Sequence, residues 1–307
     1  MPKAYGFREY GGPEVQEWLE LPVPHPGPSE LGVAVHAAGV NPIDWKLRAG
    51  LMQSMRTLEF PVVLGSEVSG VVEHVGRDVD GFAVGDEVLG VVAPGSGGYA
   101  EHTLVTASSA AKKPPHLSFT DAAALPGAGT AAYDAMQQLA LPHGATLLIN
   151  GIGGGVGVIA AQLARDAGIT VIGTGSEAKR ALAESLDAML VTSGDGVAER
   201  VRQLLPDGVD AVLDLVGGDA LRAVAGLARE PGGVVSTGDP GTAAEVGGRG
   251  LARSASPHAV LATMTQLVSS GKIDPHVSDI RPLDHAAEAL HGVESGHSRG
   301  NIVLLVR

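Results

Sequence analysis

The sequence predicts an α/β protein of two domains, and three observations carry that reading. The chain has 307 residues, about twice the usual ~100–150-residue domain. Its first ~120 residues are short apolar runs between Gly/Pro clusters, the pattern of a β-rich domain. After Ser118 the rhythm changes, and strands alternate with helical patterns.

In the β-rich part the expected strands are residues 31–37, 68–75, 87–92 and 99–105, with breaks such as 22–28 and 94–98. Strands 145–150, 169–174, 189–192, 209–214 and 233–237 follow, each trailed by a helical pattern or a glycine turn. One helix shows Val156, Ile159, Ala160, Leu163, Ala164 and Ala167 on one face; another repeats that spacing with Leu221, Val224, Ala225 and Ala228. Apolar strands alternating with helices imply a parallel sheet covered on both faces. A last helix, 284–294, and strand, 301–306, follow the turn at Gly271-Lys272-Ile273 and are expected to return to the first domain. The expected partition is therefore 1–120 with 273–307 for one domain and 121–272 for the other.

Composition excludes several function classes. The net charge is −13, which argues against a nucleic-acid binder or an anionic membrane face as partner. Hydrophobic content of 44% with 18% charged residues is enough for a sizeable core. With no cysteine, disulfides, thiolate zinc sites, iron–sulfur clusters and a cysteine nucleophile are all excluded. Residues 145–164 carry no charge, but their five glycines with Asn150 and Gln162 suit a strand followed by a helix better than a membrane span. The amino terminus is charged from Lys3 onward and has no apolar signal segment. A soluble, cytoplasmic protein is expected.

The most informative segment runs from Leu147 to Gly157, a strand leading through glycines into an amphipathic helix. Gly151, Gly154 and Gly157 are spaced to turn the chain, admit a pyrophosphate to the backbone and pack the helix closely. Free N–H groups at the helix start would face the phosphates. The competing reading is a purely structural glycine turn. The next strand ends in Thr174-Gly175-Ser176, small residues that leave room for a 2′-phosphate, with Lys179 or Arg180 to neutralise it. Glu177 is the counter-indication, because an acid there can hold a ribose; it also suits the first turn of a helix. On balance the site is expected to take NADPH rather than NADH.

Taken together the motifs resemble the zinc-independent quinone oxidoreductase (zeta-crystallin-like) branch of the medium-chain dehydrogenase/reductase superfamily. The resemblance runs nearly end to end. It includes Gly39-Val-Asn-Pro-Ile-Asp44, Gly65-Ser-Glu-Val-Ser-Gly70, Gly85-Asp-Glu-Val88, Gly98-Tyr-Ala-Glu101 and Ala124-Leu-Pro126 with Thr130-Ala131. The glycine loop, Asp214-Leu-Val-Gly217, Pro282-Leu-Asp284 and Gly300-Asn-Ile-Val-Leu304 complete it. It implies a GroES-like β-barrel domain plus a Rossmann doubly wound parallel-sheet domain, with an active site in the cleft between them. It also implies a homodimer, or a tetramer, through the Rossmann domain, whose edge strand would lie near residues 250–255. Implied cofactor contacts are Thr130, Gly153, Gly154, Gly155, Val156, Gly175, Ser176, Lys179, Val216, Gly217 and Gly238.

The chain departs from the wider family at several positions. Asn41 and Ser66 stand where zinc-dependent relatives carry Cys and His, so no metal is expected. Ser193 lies near the position of a Tyr that contacts the 2′-phosphate in many quinone reductases, and Asn301 replaces a usual Lys.

Without a metal to lower a hydroxyl pKa, simple alcohols make poor substrates. A quinone or conjugated enone accepts hydride unaided, and the protein need only hold it close and aim donors at the developing oxyanion. Candidate catalytic residues are Asn41, as an amide donor or a turn residue before Pro42, and Asp44 with Lys46, as a relay or a solvated ion pair. Glu67 reads as a buried structural acid, while Tyr5, Trp45 and Met52 are pocket-wall candidates or plain core. His285, His291 and His297 are six apart, the wrong spacing for one helical face. Two alternatives remain open: an enoyl or alkenal double-bond reductase, and a non-catalytic NADPH-binding protein.

Overall fold

The structure is a computed structural model describing residues 1–54, 57–230, 232–296 and 298–307. It divides into two compact units. The first comprises Met1–Gly127, Ser256–Ser270 and Val277–Arg307; the second comprises Ala128–Ala255 and Gly271–His276.

The first unit opens with β1 (Lys3–Phe7), β2 (Gln16–Glu20), β3 (Glu30–Val40), β4 (Val62–Val63), β5 (Glu67–Val75), β6 (Glu87–Val92) and β7 (His102–Lys112). β1, β2 and β4 make a small antiparallel sheet. Apolar patterning did not signal it, because β2 (QEWLE) leaves most of its side chains partly or fully exposed. The eleven residues of β3 serve two partners along one edge: its first half pairs with β7 and its last residues with a carboxy-terminal strand. Its other edge pairs with β5, which continues through β6 to β7, so the ring closes into a barrel. Alternate residues of β3, Leu31, Val33 and Val35, pack with Val68, Val72, Val88 and Val105 in the core.

In the second unit, β8 (Thr146–Asn150), β9 (Thr170–Gly175), β10 (Met189–Thr192), β11 (Ala211–Asp214), β12 (Val234–Ser236) and β13 (Arg249–Gly250) form one parallel sheet. Its order, β10-β9-β8-β11-β12-β13, is the doubly wound order, reversing between β8 and β11. The helix Gly155–Asp166 buries Ile159, Ala160 and Ala164 as its spacing predicts. It also buries Val158, Ala161 and Gln162, so it is covered on nearly every side. The uncharged window 145–164 thus divides between β8 and this helix. Among the described residues no helix is long and apolar enough to cross a membrane.

β14 (Val277–Pro282) and β15 (Asn301–Leu305) rejoin the first unit in the order β14-β15-β3-β5-β6-β7, as the return of the chain predicted. Other boundaries differ from expectation. The helix Pro257–Ser269 belongs to the first unit, where Leu261 packs with Leu89, Ala111, Leu117 and Leu125, so residues 121–272 are not one block. Periodicity reveals a helix but not which sheet it covers. Residues 271–276 stay with the second unit, where the buried Gln162 amide accepts from the N–H of Asp274 and donates to its carbonyl, both at 2.8 Å. The strand expected at 99–105 begins instead at His102, because Tyr99 exchanges backbone hydrogen bonds with Tyr5 and Leu64. The edge strand expected at 250–255 shrinks to Arg249–Gly250. There the Gln138 side chain occupies the Gly250 carbonyl at 3.1 Å and the Ala252 N–H at 2.8 Å.

Candidate active site

The glycine loop leaves β8 at its carboxy end, beside the point where the sheet order reverses, the usual ligand position of such sheets. The three glycines divide the labour the motif predicted. Gly151 makes the turn with φ of +91°, the left-handed region. A Cβ on Gly154 would meet only the Gly151 carbonyl oxygen, at 3.8 Å, so this backbone is open to a ligand. A Cβ on Gly157 would sit 2.7 Å from the Ile152 carbonyl carbon, so the helix packs where only glycine fits. Gly154 is the N-cap of the helix Gly155–Asp166 and no side chain caps it. The first-turn N–H groups of Gly155 and Val156 lack intrahelical acceptors and carry the positive end of the dipole.

Lys179 is buried, with Nζ 3.5 Å from the Gly153 carbonyl. Its stem lies across two further predicted contacts: a Cβ on Gly153 would be 2.6 Å from Lys179 Cδ, and one on Gly175 3.5 Å from Cγ. Ser176 is exposed at the end of β9, and the Ser193 N–H donates to the Gly175 carbonyl at 2.9 Å. Arg180 and Glu177 turn to each other in an exposed ion pair, which holds the Glu177 carboxyl below its ordinary value. Lys179, not Arg180, is therefore the cation of the loop. Val216 and Gly217 follow β11, and Gly238 follows β12. Val216 is 54% exposed, an apolar side chain left bare above the sheet, and a Cβ on Gly151 would lie 2.8 Å from its Cγ2. Thr130 opens the helix Thr130–Leu139, where its hydroxyl accepts from Arg253 at 2.5 Å.

In the first unit, Asn41 ends β3 and caps the helix Pro42–Arg48. Its N–H donates to Asp44 Oδ2 at 2.9 Å, and its side-chain amide donates to Glu67 Oε1. Glu67 is buried at the head of β5, accepts the Gly127 N–H at 2.5 Å, and so takes the structural role expected of it. Asp44 is buried as well and accepts from the Tyr99 hydroxyl at 2.9 Å. Burial pushes its carboxyl up to about 6, against the pull of the Asn41 and Tyr99 hydrogen bonds. The pairing of Asp44 with Lys46, whether relay or solvated ion pair, is corrected here. Helical residues two apart do not face each other, so Asp44 turns inward while Lys46 Nζ lies 6.0 Å over the Trp45 ring. Tyr5 is core, Trp45 is half-buried against the same cluster, and Met52 is half-buried.

The residues at the family's metal positions do not fit zinc. Asn41 donates its amide to Glu67, Ser66 offers a neutral hydroxyl, and no cysteine exists. Among the described residues no group of three or more His, Asp or Glu side chains could hold a metal ion. His297 lies outside those residues. The spelling G-x-S-x-G occurs once, from Gly296 to Gly300, but Ser298 lies between a helix and β15, the reverse of a nucleophile elbow.

One feature had no motif to announce it. Thr174, Asn150, Asp214 and Ser236, at the carboxy ends of β9, β8, β11 and β12, stand side by side in register and all are buried. Polar residues at four strand ends, 22 to 24 or 64 positions apart, were the available signal.

Residues 27–115 match the family model for the alcohol dehydrogenase GroES-like domain, and residues 186–304 that for a zinc-binding dehydrogenase. The 2-methylene-furan-3-one reductase of Solanum lycopersicum is 33% identical over 98% of this chain and 78% of its own. The quinone oxidoreductase of Coxiella burnetii superposes with a TM-score of 0.89 at 33% identity, covering 100% of this chain and 99% of that one. The Escherichia coli quinone oxidoreductase complexed with NADPH gives 0.88 at 27% identity, over 99% of this chain and 100% of that one. The barrel of the first unit is thus the GroES-like domain and the second unit the Rossmann domain. The chain belongs to the zinc-independent quinone oxidoreductase branch of the medium-chain dehydrogenase/reductase superfamily. It is an NADP-dependent oxidoreductase of that family.

Proposed function

We propose that this enzyme reduces a quinone or a conjugated enone by hydride transfer, with no metal at the substrate. Its cofactor is NADPH, which when bound supplies the hydride from its reduced nicotinamide. The observation that carries the reading is the bare helix start at Gly154 with Lys179 lying under the loop, a fit for a diphosphate next to a further phosphate. The amides of Gly155 and Val156 hold the pyrophosphate. Lys179 and the exposed Ser176 hydroxyl hold the 2′-phosphate, with Gly153 and Gly175 making room for the Lys179 stem. Val216, Gly217, Gly238 and Thr130 line the remainder of the cofactor path.

Asn41 directs one amide hydrogen to Glu67 and offers the second to the oxyanion that forms on the acceptor. Asp44 positions Asn41 through its N–H and touches no substrate. The delocalised product anion takes its proton from water. The name of the tomato relative, a reductase of a methylene conjugated to a ring ketone, favours one second reading: a double-bond reductase on the same scaffold. The proposal includes a cytoplasmic location and a homodimer through the Rossmann sheet, which light scattering in solution tests.

The test follows loss of reduced-nicotinamide absorbance with quinones, enones and enoyl thioesters, using NADPH and NADH. Quinones or enones are expected to turn over and simple ketones not. Lys179→Ala is expected to cut the preference for NADPH over NADH by about tenfold or more. Turnover of none of these acceptors, or an unchanged preference, sinks the reading.

A further inference from the structure

We infer that Asp214 is a positioning residue for the cofactor, its buried carboxylate setting the turn after β8 and the turn after β11 as one unit. This inference rests on the reading of the glycine loop as the NADPH site. The carboxylate accepts from four donors. Asn150 Nδ2 donates to it at 2.7 Å and the Ser236 hydroxyl at 2.7 Å. The N–H groups of Val216 and Gly217 donate to it at 3.2 and 3.1 Å.

The chain of bonds is directional. Because Asn150 gives its NH₂ to Asp214, its carbonyl oxygen faces Thr174, whose hydroxyl donates to it at 2.6 Å. The Thr174 hydroxyl oxygen is then left as an acceptor, and the Gly151 N–H is shared between it at 3.2 Å and the Thr174 backbone carbonyl at 3.3 Å. Two amides in the turn beyond β11 are thus bound by the carboxylate at the end of their own strand. Through Asn150 and Thr174, at the next two strand ends, the same carboxylate reaches the amide at the first residue of the phosphate loop. On the far side the Ser236 oxygen accepts the Asp239 N–H at 3.0 Å, and Asp239 accepts from Gly218 at 3.0 Å, extending the same control.

Stability alone does not account for this row. One residue earlier the same strands present Ile149, Leu213 and Val235 in register, an ordinary apolar layer. Burying a carboxylate, an amide and two hydroxyls in place of such a layer is favourable only when every partner is matched. Here the partners include the backbone of both turns that face the ligand.

The test measures binding of NADPH, and of 2′-phospho-ADP-ribose, which lacks nicotinamide, by titration calorimetry alongside thermal melting. Asp214→Asn sets an amide against the Asn150 amide and the two turn N–H groups. It is expected to weaken both ligands by about tenfold or more. Thr174→Val removes the last link and is expected to weaken the fragment similarly, while Thr174→Ser returns it to within about threefold of wild type. A merely structural row would lower the melting temperature and leave fragment affinity within about twofold, which overturns the inference. Should Asp214→Asn not fold, the Thr174→Val and Thr174→Ser pair decides by the same criterion. Wild-type protein that binds neither ligand overturns the NADPH reading and this inference together; wild-type binding with unchanged variants overturns the inference alone.

Discussion

Two strand-to-helix junctions, after β3 and after β8, meet one physical problem with opposite chemistry. Each ends a buried strand and starts a helix whose first N–H groups have no helical acceptor. After β3 the chain closes that end itself. Pro42 removes a donor, Asp44 takes the Asn41 N–H, and Glu67 holds the Asn41 amide. After β8 there are only glycines, and the N-cap carries no side chain. A helix start sealed by its own acids has no use for an anion; one left bare can accept one.

The sharpest way to break this contrast is to convert the second junction into the first. Gly154 has φ of −90° and ψ of 171°, a backbone an N-cap aspartate accepts, with room for a Cβ. Gly154→Asp is expected to hold or raise the melting temperature while lowering NADPH affinity at least about a hundredfold, since its carboxylate occupies the phosphate position. Retained affinity in a calorimetric titration would end the comparison.

Opening the sealed junction comes next. Glu67→Ala leaves the Asn41 amide and the Gly127 N–H without their carboxylate, and about 2–3 kcal/mol of unfolding free energy should be lost in urea. Glu67→Gln, which retains one acceptor, should lose less.

An effect that shows only when pH is varied comes last. Asp44 has its folded-state carboxyl raised by burial from 3.8 to about 6, so the folded chain binds the proton more tightly than the unfolded one. That contribution is full below pH 4 and is lost as pH climbs through about 6. Relative to Asp44→Asn, wild type should lose about 3 kcal/mol across that window. A difference between the two proteins that does not vary with pH would show that the carboxyl titrates normally.

Local patterns made much of the molecule readable. β6 and β10 fall on their expected residues because each is an apolar run closed by turn formers. The turn at Gly151, the open backbone at Gly154 and the close packing at Gly157 were legible because steric demands on a glycine are local. What escaped depends on distant partners. Asn41 meets Glu67 across 26 positions, and the Asn150–Asp214 pair spans 64, with no spacing to mark either. Lys46 misled because adjacency along a chain says little about which side of a helix faces inward. The small sheet of β1, β2 and β4 lacked the apolar alternation that announces a strand.

The pairing of β15 with β3 has a consequence for biosynthesis. Residues 302–305 lie against 37–40, so one flank of the barrel stays open until β15 has been translated. The six-stranded domain between them, encoded almost without interruption, can complete itself while its host is still an unfinished ring. A released chain truncated near residue 276 should therefore hold a folded insert flanked by protease-sensitive ends, an outcome dictated by where a single strand, β15, was placed.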